Sequence, residues 1–313
     1  MFFADGPHGL RKQTGSGDHL GIAASQPATC FPTAATVANG WDPSLAEEIG
    51  EALGAEAASQ GVDVVLGPGL NVKRSPLCGR NFEYFSEDPY LAGHLAAGYV
   101  RGIQSQGIAA SPKHFAANSQ ELRRMASDSV VDERTLREIY LTGFEIVVRE
   151  SSPRVVMSSY NKVNGTYAHE NTHLLSDILR DEWGFDGAVI TDWGGGNDAP
   201  SAIRAGGGLE MPSPGLDSVP AILDAIDHHE LSMEDLDARV EEPARPWHLG
   251  GRQPCPRGRP RRPPRGSPGA WPARRLCCCA MRAPSFRSPL RPGSQSLATS
   301  PRRPATRARV RRS

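Results

Sequence analysis

Along residues 1–242, short runs of β-branched and apolar residues alternate with longer segments whose apolar side chains return every three or four positions. The first kind of run predicts strands and the second helices, and their regular alternation predicts parallel sheet built from βα units. Seven strands are expected, at 2–4, 30–37, 62–66, 108–111, 154–158, 187–191 and 208–211. Helices are expected from Asp42-Pro43 to Gly61, from near Leu91 to Gly107, from Asp132 to about Glu150, and over 174–183 and 199–205. The first shows the reasoning. Asp42 suits a helix cap and Pro43 the first helical position, and Leu45, Ile49 and Leu53 then repeat at four-residue spacing. Gly61 closes that helix, and Gly67-Pro68-Gly69 stops the strand after it.

The reactive side chains fall at the ends of these strands. Lys113 and His114 follow one, Tyr160 and Asn161 the next, and Asp192 with Trp193 a third. Residues at the C-terminal ends of successive parallel strands converge on one mouth when the sheet curls into a barrel. The expected fold is therefore α/β, a (β/α)8 TIM-like barrel. Seven strands are one short of eight, and the chain begins almost on top of Asp5-Gly6-Pro7, so an element is expected upstream of Met1. No Gly-x-Gly-x-x-Gly follows a strand and opens a helix, which leaves a dinucleotide site without support.

Charge changes the picture of the whole. The chain's 35 basic and 35 acidic residues cancel, but not locally. Residues 1–242 hold 4 Lys and 13 Arg against all 35 acids, a net charge of −18. Residues 243–313 hold 18 Arg, 14 Pro and no acid, a net charge of +18. Such an Arg/Pro-rich segment buries too little apolar surface to offset its ordering entropy. Two parts are expected: a barrel domain over 1–242, and a disordered basic tail over 243–313 whose composition is that of a GC-rich coding region read in the wrong frame. Eighteen arginines would attract phosphate, but without a folded module this is nonspecific electrostatics, and no specific nucleic-acid partner is expected.

No apolar run reaches the length of a membrane span, and the start is too short and too soon polar for a secretory signal. Cys277, Cys278 and Cys279 are adjacent in the tail, which suits neither a disulfide framework nor a zinc site. No metal or organic cofactor, no membrane partner and a cytoplasmic location are expected; the oligomeric state is left open.

Asp192 is the sharpest candidate for chemistry. It ends the apolar run Ala188-Val189-Ile190 and precedes Trp193 and three glycines that allow close backbone approach to a ligand. A carboxylate there could attack an anomeric carbon while the indole packs on a sugar ring; the alternative is a helix cap or an ion pair. Lys113 and His114 either donate to hydroxyls or are a solvated lysine beside a structural histidine. Arg80 sits in a loop with Glu83, Glu87 and Asp88, and reads as aimed at a ligand while the acids read as loop clips or caps. Asp5 is either a turn residue or a chelator of two sugar hydroxyls. Tyr160 either donates to Asp192 or is ordinary core.

In their joint order these segments resemble glycoside hydrolase family 3, in particular its β-glucosidase-type members. The resemblance runs through Asp5-Gly6-Pro7-His8-Gly9-Leu10-Arg11, Gly79-Arg80-Asn81-Phe82-Glu83, Ser86-Glu87-Asp88-Pro89, Lys113-His114-Phe115, Met157-Ser158-Ser159-Tyr160-Asn161, Arg180-Asp181-Glu182-Trp183-Gly184-Phe185, Thr191-Asp192-Trp193-Gly194 and Leu209-Glu210-Met211-Pro212. It covers Asp5 to about Val240. It implies retaining hydrolysis of terminal β-D-glucosidic bonds through a glycosyl intermediate on Asp192. Tyr160 would support the nucleophile, Asp5, Arg80, Lys113 and His114 would hold the glucose, and Trp193 would wall its subsite; Arg11 is read as structural.

Two departures qualify that expectation. Ala205-Gly206-Gly207-Gly208-Leu209 stands where relatives tend to have Ala-Gly-Leu-Asp-Leu. In β-glucosidase-type relatives, moreover, a following α/β sandwich domain supplies the glutamate acid/base, and the family pattern ends here near Val240. Impaired turnover is therefore expected. The alternatives are a single-domain β-N-acetylglucosaminidase-type enzyme, disfavoured because Ala116-Ala117-Asn118-Ser119-Gln120 lacks the required histidine, and a non-catalytic sugar-binding remnant.

Overall fold

The computed structural model describes residues 1–6, 8–15 and 24–248. Among the described residues nine short strands form: β1 Phe3–Ala4, β2 Val64–Val65, β3 Ala109–Ala110, β4 Lys113–Phe115, β5 Asp128–Ser129, β6 Val155–Ser158, β7 Lys162–Val163, β8 Thr166–Tyr167 and β9 Ala188–Ile190. The α-helices are α1 Ala34–Ala38, α2 Pro43–Ser59, α3 Pro89–Ser105, α4 Glu133–Thr135, α5 Thr142–Ser151, α6 Ala199–Ala205, α7 Ser218–Asp227 and α8 Met233–His248. Two wider π-type segments, Leu136–Leu141 and His173–Glu182, fall in the third and fourth of the expected helices.

The pairing is parallel throughout the main sheet. One group runs β1-β2-β3 and a second β4-β6-β9. A bridge from Gly69 to Lys113 and one from Ile190 to Leu209 extend the second group at both ends. The fold is thus α/β and TIM-barrel-like, and among the described residues no pairing joins the Leu209 edge to β1, so the barrel, expected to be one element short of eight strands, is not closed. Six of the seven expected strands pair as predicted. The seventh, 30–37, is a correction: its second half is helix α1. Thr33 caps it, its hydroxyl accepting from the Thr36 amide at 3.1 Å, and the alanines that follow favour helix over strand.

Strand periodicity sorts the core into two layers. Val64, Leu66, Val155, Met157 and Ile190 point inward and pack with Ala109 and Met211 inside the curled sheet. Their neighbours Val65, Val156 and Val189 point outward against the helices. On the α2–α3 flank the helices touch through their backbones. A Cβ on Gly102 would lie 2.2 Å from the Glu47 carbonyl oxygen, and one on Gly50 2.3 Å from that of Tyr99. Caps act as predicted: Asp42 accepts from the Ser44 amide at 3.0 Å, and Asp88 from that of Tyr90 at 2.9 Å.

A small separate sheet, β5-β7-β8, sits beside the main one. Its hairpin turns on Asn164 and Gly165, both at positive φ, the left-handed pair that a two-residue hairpin loop requires. At the C-terminal side, Glu242 is buried and pairs with Arg180 at 2.8 Å, fastening α8 to the segment His173–Glu182, and with Arg239 of its own helix at 3.0 Å. Helix α8 crosses the expected boundary at 242/243. The rest of the expected tail, 249–313, lies outside the described residues, as does Pro7. No described helix is long and apolar enough to cross a membrane.

Candidate active site

At the C-terminal ends of the parallel strands a cleft of about 240 Å³ opens, lined by Asp5, Arg80, Tyr160, Asp192 and Trp193 from the expected set, and by Phe2, Phe3, Arg11, Gln13 and Arg124. Each strand delivers its side chain directly: Asp5 follows β1, Lys113 and His114 are in β4, Tyr160 follows β6 and Asp192 follows β9.

Asp192 is buried, and its two oxygens differ. Oδ1 accepts the backbone N–H of Trp193 at 2.8 Å. Oδ2 is buried without a hydrogen-bond partner. It faces Arg80 NH1 at 3.5 Å and His114 Nε2 at 3.4 Å. Arg80 also donates its Nε to buried Glu83. Burial works against the guanidinium charge, but the surrounding Tyr84, Glu83 and Asp192 raise its pKa further. His114 is fully enclosed, and burial, then the nearby charges of Arg80, Lys113 and Arg124, push its pKa well below the ordinary histidine range. It is therefore neutral.

Asp5 meets different surroundings. Lys113 Nζ donates to its Oδ1 at 2.7 Å. Burial pushes the Asp5 carboxyl up, yet the charge and hydrogen bond of Lys113, the Gly6 amide and the charge of Arg11 together hold its pKa below the usual value. The turn that carries it depends on glycine: at Gly6, φ is +142° and a Cβ would overlap the Gly9 carbonyl oxygen.

The Tyr160 hydroxyl donates to the Trp193 carbonyl at 2.9 Å, one residue past the carboxylate. Burial, then the negative charge of Asp192, and with it a hydrogen-bonding interaction with that carboxylate, raise its pKa. Arg124 stacks on the Tyr160 ring, 4.4 Å from its centroid, and is tied to Glu121 at 2.9 Å. Below the site Ser158 lies 2.9 Å from His169 Nδ1 and donates at 3.3 Å to the Ile190 carbonyl, two residues before Asp192. Burial holds His169 down to a pKa of about 4.

The sequence reading missed Arg124, Phe2, Phe3 and Gln13. Arg124 follows Arg123 in a polar loop, with no periodicity to mark which of the two faces inward. Arg11, read as structural, does line the cleft. Among the described residues no group of three His, Cys, Asp or Glu side chains is placed to hold a metal ion. What the arrangement offers is one oriented carboxylate with a free oxygen, beside cationic and neutral donors and an indole.

The glycosyl hydrolase family 3 N-terminal domain matches residues 16–245. Thermostable β-glucosidase B of Acetivibrio thermocellus is 53% identical over 241 residues, 77% of this chain and 32% of that protein. An exo-α-(1→6)-L-arabinopyranosidase of Bifidobacterium longum is 52% identical over 209 residues, 66% of this chain and 28% of that protein. Among solved structures, β-glucosidase 3B of Thermotoga neapolitana in complex with α-D-glucose matches with a TM-score of 0.71 and 46% identity over 77% of this chain and 34% of that one. The chain thus spans about a third of the length of these relatives. These names do not favour the β-N-acetylglucosaminidase alternative.

Proposed function

The chain belongs to glycosyl hydrolase family 3 through its N-terminal domain, and on that premise we propose that its cleft attacks terminal β-D-glucosidic bonds with Asp192 as nucleophile. The observation that carries this reading is the free, buried Oδ2 of Asp192, held between Arg80 and His114 while Oδ1 is fixed by the Trp193 amide. Fixing one oxygen leaves the other to form the bond to the anomeric carbon as the bond to the departing oxygen breaks. Lys113, Asp5, Arg80 and His114 offer donors and acceptors for sugar hydroxyls, and Trp193 an apolar wall. Tyr160 acts on the nucleophile by holding the Trp193 carbonyl, and through it the loop that carries Asp192.

A retaining glycosidase uses a second carboxyl about 5 to 5.5 Å away to protonate the leaving oxygen and later to activate water. The other carboxylate lining this cleft, Asp5, is ionised and bound to Lys113, so it has no proton to give. This chain alone therefore glycosylates from substrates with good leaving groups and stalls as the covalent intermediate, since general acid–base help is worth about 10² to 10⁴ in rate. The test is a burst of aryl alcohol from an activated aryl β-D-glucoside, a glucosyl adduct mapped to Asp192 by mass spectrometry, and faster release on adding azide. Absence of both adduct and azide effect overturns the proposal. An aryl α-L-arabinopyranoside belongs in the same assay, because the Bifidobacterium longum relative is named for that sugar. A larger burst with it moves the substrate class without moving the nucleophile.

A further inference from the structure

His114 faces Asp192 with one ring nitrogen and the interior with the other, and which nitrogen carries the hydrogen decides whether it can donate into the cleft. Three surrounding contacts bear on this. Asn71 grips the His114 backbone on both sides: its Oδ1 accepts the His114 N–H at 2.7 Å and its Nδ2 donates to the His114 carbonyl at 2.8 Å. A backbone N–H can only donate and a carbonyl only accept, so the Asn71 amide has one possible orientation. The Tyr84 hydroxyl lies 3.2 Å from His114 Nδ1, and the Tyr84 side chain is fully buried. Among the described residues the Tyr84 hydroxyl has no other hydrogen-bond partner.

Two hydrogen arrangements can be compared. With the hydrogen on Nδ1, that N–H would point at Asn71 Oδ1, 3.3 Å away, or at the Tyr84 oxygen. The buried Tyr84 O–H would then lack an acceptor, and the Nε2 lone pair would face the Asp192 carboxylate at 3.4 Å. Each effect is unfavourable: a buried donor is left unmet, and two lone pairs repel. With the hydrogen on Nε2, Tyr84 donates to Nδ1 and the Nε2–H faces the carboxylate. The approach of Asn71 Oδ1 to Nδ1 is then a contact between two acceptors, tolerable because Oδ1 is already bound by the backbone N–H at 2.7 Å.

We infer that Tyr84, with Asn71 holding the backbone, is a positioning residue that fixes His114 as the neutral Nε2–H tautomer, a permanent donor aimed at Asp192. Its use in catalysis rests on the reading of this cleft as a sugar site. In this form the buried Nε2–H faces Asp192 Oδ2 at 3.4 Å, setting a donor against an acceptor where neither atom has another hydrogen-bond partner. A neutral donor orients that oxygen without placing a full positive charge against the nucleophile, which leaves the carboxylate more reactive than an imidazolium contact would.

The experiment is ¹⁵N NMR of the full chain labelled at histidine, with the His114 signals assigned from a His114→Gln sample. The parent chain should show a protonated Nε2 and an unprotonated Nδ1; the reverse pattern overturns the inference without any substitution at Tyr84. In Tyr84→Phe, checked by circular dichroism for an unchanged fold, the Nδ1–H form should become populated, donating to Asn71. An unaltered Nε2–H tautomer in that variant overturns the role of Tyr84. On an activated aryl glucoside, Tyr84→Phe should lose about tenfold in the single-turnover rate, with substrate affinity nearly unchanged. The NMR readings stand even if the parent releases no aryl alcohol, so failure of the proposed activity and failure of the tautomer assignment remain separate results.

Discussion

Asp5 and Asp192 line the same cleft from two different strand groups, and their neighbours give them opposite characters. Asp5, after β1, is bound through Oδ1: Lys113 donates to it at 2.7 Å, and that pairing helps hold its pKa down despite burial. Asp192, after β9, is hydrogen-bonded through Oδ1 only, while its Oδ2 faces Arg80 and His114 at 3.4 to 3.5 Å without a hydrogen bond. A carboxylate bound tightly to a lysine binds and orients. One with a free oxygen beside neutral and delocalised donors can form a bond. The cleft thus teaches that residue type and strand-end position are shared by both acids, while role follows from what else touches each.

That contrast can be broken most directly at Asp192. Asp192→Asn should lose roughly 10³-fold or more of the aryl glucoside burst, since an amide cannot attack. A variant that keeps the parent burst would place the chemistry elsewhere, with Asp5 the first suspect.

Acid should separate the two corners next. Beneath Asp192, His169 is neutral in the fold with a pKa of about 4, below its ordinary 6.5. Between those values the unfolded chain binds the proton and the folded one does not, so stability falls as pH drops from about 6.5 to about 4, by about 3 kcal/mol in all. The Asp5 pair has the usual carboxylate sign: its contribution is present above the ordinary 3.8 and is lost only as pH falls through its lowered value. Urea unfolding at pH 7, 5 and 4 should therefore show an early loss that His169→Asn reduces by that amount, the buried neutral His114 keeping the remainder, and that Asp5→Asn leaves in place. The converse result would tie mild-acid loss to the Asp5 corner.

Asp5→Asn should then cost about 10- to 100-fold in kcat/KM, the worth of a charge-assisted hydrogen bond, and mainly through KM. A loss carried by kcat alone would mean Asp5 acts on the reacting bond. The smallest effect is expected at Tyr160→Phe, a few-fold in rate from a neutral hydrogen bond to a backbone carbonyl. The acid limb of its pH–rate profile should stay in place, because the hydroxyl serves Trp193; a displaced limb would show that it serves the carboxylate itself.

Much of this was legible along the chain. The caps at Asp42 and Asp88, the alternation of β-branched runs with helical segments, and the strand-end positions of Lys113, His114, Tyr160 and Asp192 are local features, and they form as local rules require. The segment 30–37 misled because its few β-branched residues outweighed, on paper, the capping threonine at 33. Arg124 gave no signal, since a loop has no period to show which of two adjacent arginines turns inward. The count of strands showed the barrel to be one element short, but where the seam falls is a fact of pairing: among the described residues none joins the Leu209 edge to β1.

The sequence by itself determined the order of βα units, the strand ends that carry reactive side chains, and the charge split between residues 1–242 and 243–313, because these rest on periodicity, capping and composition. Tertiary structure alone decided that Lys113 binds Asp5 from 108 positions away, that Arg80 and His114 converge on Oδ2 of Asp192, and that the Tyr160 hydroxyl donates to the Trp193 carbonyl. The reason is physical: a carboxylate's pKa and reactivity are set by charges and donors within a few ångströms, and the chain brings those together only by folding.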